Sequence, residues 1–172
     1  WDVIAQLKVP TIQLHAPSPE KRNQESAEAF REQLNQMRVR CTAVFGGFEG
    51  ESYADIPTVV QTVGLVPADT RQSRLQEMLE ISDFAHWLGC DTVALHLGFI
   101  PHDPEADGYA DIVDVTRQLC DHCAGHQQFL HLETGQETAE GLLEFIKQVD
   151  RENLKINFDP ARSEEHTSEL QS

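Results

Sequence analysis

Two carboxylates end short strand-like runs, Glu133 in FLHLE and Asp159 in KINFD. Two imidazoles do the same, His15 in TIQLH and His96 in TVALH. Side chains along a strand alternate between faces. Each of these groups therefore shares a face with small or polar neighbours such as Thr11 and Gln13, Thr92 and Ala94, His131, and Lys155 and Asn157. Polar groups that face inward at strand ends are costly to bury unless they bind something. Carboxylate oxygens and imidazole nitrogens suit a divalent cation: magnesium, manganese, cobalt or zinc. The lack of thiolates beside them argues against a structural zinc centre. A carboxylate held beside such a cation and a carbonyl can take a proton from the adjacent carbon while the cation stabilises the enediolate. The competing use of Glu133 and Asp159 is to cap the helices that follow them, and Thr138 lies close enough after Glu133 to keep that use open.

Groups at strand ends need a scaffold, and the rest of the chain supplies one. Apolar stripes predict helices over 24–38 (Ala27, Phe30, Leu34, Met37), 70–88 (Leu75, Met78, Ser82, Ala85, Leu88), 109–123 (Ile112, Val115, Leu119, Cys123) and 138–149 (Leu142, Phe145, Ile146, Val149). Val3, Ile4 and Leu7 read as the end of another helix. Thr70 is the expected N-cap of the second helix and Gly89 its stop. Strand then helix, repeated, predicts a parallel sheet covered by helices. A doubly wound open sheet needs near-continuous aliphatic central strands. Here the runs are aliphatic on one face only, which favours an α/β partial (β/α)8 TIM barrel of about five parallel strands, the second to sixth of a full set. A complete barrel takes about 250 residues, so one strand before Trp1 and two after Ala161 are expected to be missing. Helix-to-strand connections are short, whereas strand-to-helix connections at 46–69, 98–108 and 134–137 are longer. That asymmetry puts His15, His96, Glu133 and Asp159 on the rim where barrels keep their sites.

A chain of 172 residues with 40% hydrophobic and 24% charged residues suits one globular domain with a real core. No apolar run approaches the roughly 20 residues needed to span a bilayer. The net charge of −16 repels phosphate backbones, so neither nucleic acid nor membrane is an expected partner. Cys41, Cys90, Cys120 and Cys123 form no disulfide framework, and the Cys120-x-x-Cys123 pair lacks a second pair for zinc. Reduced, packed thiols in the cytoplasm are the expectation. The chain begins at Trp1, and its last residues, RSEEHTSELQS, resemble a translated sequencing adapter. We therefore read 1–161 as an incomplete barrel domain and 162–172 as a non-native, disordered tail, which removes His166 from the ligand candidates.

The series TIQLHAP, VALHLGFIPHDP, LHLETGQET and KINFDPA resembles the xylose isomerase-like TIM barrel family of sugar phosphate isomerases and epimerases, from Trp1 to about Ala161. The resemblance implies a divalent-metal-dependent isomerase or epimerase acting on a sugar, sugar phosphate or keto-acid through an enediolate. It makes Glu133 and Asp159 metal ligands, and Glu133 also a catalytic acid or base. It places the remaining His and Glu ligands in later strands. A His often stands three positions after the Asp, where this chain has Arg162. His96 and His15 become substrate-side groups, joined by Gln136 and Glu137, whose spacing departs from that of the best-known epimerases. Residues 46–69 read as a lid or rim, with Phe48 and Tyr53 able to cover substrate. Rival readings are a metal-dependent phosphodiesterase of the DNA-repair (endonuclease IV-like) type and a non-catalytic sugar-binding relative. Homo-oligomerisation stays open, and the stretch alone is expected to be inactive and poorly stable.

Overall fold

The computed structural model describes residues 1–135 and 137–159; Gln136, Arg162, His166 and the rest of the proposed tail lie outside them. Among these residues five strands form: β1 (Thr11–His15), β2 (Arg40–Gly46), β3 (Thr92–Leu95), β4 (Phe129–Glu133) and β5 (Leu154–Asn157). All pair in parallel, in the order β1-β2-β3-β4-β5. Helices alternate with them: α1 (Asp2–Leu7), α2 (Gln24–Met37), α3 (Ile56–Thr62), α4 (Ala68–Leu88), α5 (Tyr109–Gly125) and α6 (Ala139–Val149), with a 3-10 turn at Pro19–Lys21. Strand order without a reversal is the arc of a barrel, because a doubly wound sheet reverses at its switch point. The chain therefore forms the partial TIM barrel that its pattern predicts.

The core lies between strands and helices. Val44, Val93, Leu95, Leu130 and Leu132 point one way from the sheet and meet Met78, Ile81, Phe84, Ile112, Leu119 and Phe145, all buried. Alternation in β2 is reset by a bulge. Ile12 pairs with Cys41 but Gln13 with Ala43, so Thr42 is the extra residue, and its hydroxyl donates to the Ile12 carbonyl at 3.2 Å. Cys41 and Val44 thereby both face the helices, while Phe45 lies opposite His15 and Ala94 on the inner face.

Guanidinium groups on α4 and α5, those of Arg71 and Arg74 buried, fasten neighbouring segments of backbone. Arg71 donates to the carbonyls of Leu65 (2.9 Å) and Val66 (2.7 Å). Arg74 donates to those of Thr62 and Gly64, both at 2.8 Å, and stands 5.0 Å over the Phe48 ring. Arg117 donates to the carbonyls of Gln148 and Val149. Two loops also abut directly, with the Leu65 N–H donating to the Leu97 carbonyl at 2.8 Å. Gly64 (φ 70°) and Gly98 (φ 103°) make this approach possible, since a Cβ on Gly64 would lie 2.0 Å from the Leu97 oxygen.

Three expectations need correction. The segment 46–69 is not all loop, because Asp55 caps α3 by accepting from Thr58 N–H at 2.8 Å, with a proline in the first turn. Thr70 is not an N-cap; α4 starts at Ala68 after Pro67, so Thr70 falls inside its first turn. Phe48 does not cover the mouth, for it is buried against Arg74. The expected stop at Gly89 holds, with φ 82°. Cys120 and Cys123 are buried thiols on α5, pushed up by burial to about 12 and about 11 respectively. Among the described residues no helix is long and apolar enough to cross a membrane.

Candidate functional site at the barrel mouth

Parallel strands deliver their C-terminal ends to one rim, and there a cleft of about 390 Å³ opens. Gln13 and His15 of β1, Phe45 and Gly46 of β2, Glu51 and Tyr53 of the following loop, His96 and Glu133 line it. Three side chains singled out by their strand-end positions, His15, His96 and Glu133, thus meet in a single cavity, of the size that holds small molecules.

His96 follows β3 directly and is 5% exposed. Its Nδ1 accepts from the Gly98 N–H at 3.1 Å, which leaves the proton of a neutral ring on Nε2. The Tyr53 ring meets it edge-on, 5.9 Å between centroids. Gly135 packs on its other side, where a Cβ would stand 2.6 Å from Nε2. The glycine of the E-T-G run is therefore required by the imidazole against it.

Glu133 ends β4, opposite Asn157 of β5, and Asp159 lies two residues further on, just past the end of β5. Thr134 joins the two ends. Its hydroxyl accepts from the Asp159 N–H at 2.8 Å and donates to the Asp159 carbonyl at 3.4 Å, while its N–H donates to the Asn157 carbonyl at 3.0 Å. By strand alternation the Glu133 carboxylate belongs to the inner face, and the Asp159 backbone is held beside that strand end by Thr134. Two carboxylates on neighbouring strands, locked at the backbone, fit part of the all-oxygen sphere of magnesium or manganese. A full octahedral set needs further donors, and among the described residues the mouth gathers no trio of metal-ligand side chains. The one such trio, Asp83, His122 and His126, lies elsewhere.

Glu137, expected on the substrate side, makes contacts within the rim. Its carboxylate accepts from the Gly135 N–H at 3.2 Å, and burial raises its pKa against the pull of backbone amides at Ile100 and Gly135. It fastens the loop after β4 to the loop after β3. Sequence reasoning missed this, as it missed Thr134 and Glu51. Glu51 accepts from Phe48 N–H at 3.1 Å and Gly64 N–H at 2.7 Å. Glu51 reaches Gly64 thirteen residues on, and Thr134 reaches Asp159 on the next strand end, so no local pattern signals these partners.

The fold and rim define a βα-barrel arc with a polar, carboxylate-bearing mouth. The model of the xylose isomerase-like TIM barrel family matches residues 1–163, and the chain belongs to that family. It is 55% identical to a xylose isomerase domain protein from Planctomyces limnophilus, with a TM-score of 0.91 over 94% of this chain and 58% of that one. It therefore spans little more than half of that protein's length. Two more distant structures show the fold alone. A D-psicose 3-epimerase from Clostridium cellulolyticum, solved with D-tagatose, is 18% identical with a TM-score of 0.67, over 92% of this chain and 56% of that one. A xylose isomerase-like TIM barrel protein from Mycobacterium smegmatis, in complex with magnesium, is 17% identical with a TM-score of 0.63, over 90% and 53%. No curated protein matches the chain.

Proposed function

We propose that this chain belongs to a divalent-metal-dependent isomerase or epimerase that acts on a sugar, sugar phosphate or keto-acid by proton transfer next to a carbonyl. The carrying observation is the convergence of His15, His96 and Glu133 on one cleft, with Asp159 fastened beside Glu133 through Thr134. The epimerase solved with D-tagatose and the relative solved with magnesium support the same reading.

Glu133 and Asp159 would hold the cation, together with donors from later strands of a complete barrel. When bound, a divalent cation polarises a carbonyl oxygen and stabilises negative charge that develops on it. Glu133 is one member of the acid–base pair, handling the proton on one face of the adjacent carbon, and a group from a later strand would serve the opposite face. His15, at the open end of β1, binds hydroxyl groups of the substrate. His96, held by Gly98 and Gly135, shapes the inner wall, and Tyr53 closes the cleft from the side. The 172-residue chain alone, with only part of the ligand set, is expected to show no turnover.

Glu133→Gln in the full-length parent keeps the shape of the side chain and removes the base. Turnover and exchange of the substrate proton with solvent deuterium should both fall by about a hundredfold or more. Retained exchange would remove Glu133 from this role.

A further inference from the structure

We propose that the outer surface of the barrel carries a site for a divalent transition-metal ion, of which zinc is the best fit, built from Asp83, His122 and His126. It is independent of the reading of the mouth. His122 and His126 stand four residues apart at the C-terminal end of α5, a spacing that puts them on one face, one turn apart. Asp83 faces them from α4. The Nε2 atoms of both imidazoles lie 2.8 Å from the same Asp83 Oδ1, and one donor atom from each residue falls within 4.8 Å of the others. The His122, His126 and Asp83 side chains are 29%, 28% and 36% exposed, open enough for an ion to enter and sheltered enough to hold shape.

The surroundings orient these donors. His86, one turn beyond Asp83 on α4, stacks on the His126 ring with centroids 4.3 Å apart and planes 23° apart. His122 meets His126 edge-on at 5.2 Å. Beneath them Ser82, next to Asp83, is fully buried and bonded to Gln128 at 2.6 Å. Rigid elements carrying oriented ligands are what a metal site requires. Two imidazole nitrogens and a carboxylate oxygen, with a fourth position open to water, make a zinc set and a poor magnesium one. On binding, each neutral ring would present a bare Nε2 by moving its proton to Nδ1. The helices run back along the strands, so this end of α4 and α5 lies opposite the rim that carries Glu133 and Asp159.

The test is a Zn2+ titration of the metal-stripped full-length parent by calorimetry. Cobalt(II) absorbance would report the ligand geometry, and histidine Nε2 NMR signals the ligand identity. His122→Ala and Asp83→Asn should each weaken binding by about tenfold or more, with signals of His122 and His126 shifting in the parent chain. Glu133→Gln should leave this binding unchanged. Asp83→Asn conserves packing, so it decides the question if His122→Ala does not fold. Zinc that fails to bind, binds both variants as tightly as the unsubstituted protein, or is lost in Glu133→Gln would overturn the site.

Discussion

Glu137 shows how a carboxylate on the rim can join two loops. Burial holds its pKa above the ordinary value of 4.5, so the folded chain keeps this proton to higher pH than the unfolded chain does. Stability from this group is then fully present below the ordinary value and is lost as pH rises through the raised one. Glu137→Gln should remove that slope, read as a flatter plot of Tm against pH above the ordinary value of 4.5. An unchanged slope would show that Glu137 does not supply it. The strand-end groups His15, His96 and Glu133 were legible in the sequence because alternation along a strand is a local property. Thr134, Gly135 and Glu51 were not, since their meaning depends on partners such as Asp159, His96 and Gly64. The His122 and His126 spacing stood in plain sight, but Asp83 comes from 39 residues earlier.

Elements were read well where periodicity was long and poorly where it was short. The four helical stripes reappear as α2, α4, α5 and α6 with boundaries moved by a few residues. The two-turn α3 went unseen because seven residues cannot display a helical repeat, although Asp55 and Pro57 mark its start. The Thr42 bulge is likewise silent in sequence, yet without it the inner and outer faces of β2 would exchange. The contact between the loops after β2 and β3 makes a sharper prediction. Gly64→Ala meets both a left-handed φ and the Leu97 carbonyl, and should destabilise the fold by about 1–3 kcal/mol in chemical denaturation. A loss well below that would mean the two loops can part without cost.

At the scale of the molecule, 29 acidic residues face 13 Lys and Arg, and several of those cations are not on the surface. Arg71 and Arg74 are buried against carbonyls, and Arg22 bonds the Pro17 carbonyl and pairs with Glu77. Self-repulsion among the remaining carboxylates opposes compaction, and salt screens it over about 10 Å at 0.1 M. Thermal unfolding in a sodium chloride series should therefore show Tm rising with salt; a flat or falling Tm would mean that the acidic surface does not strain the fold. Arginines turned inward to fasten carbonyls leave an electrically one-sided exterior. Such an exterior pushes away phosphodiester strands and sister copies alike in dilute buffer. Ionic strength, more than protein concentration, would then govern what this barrel arc can approach.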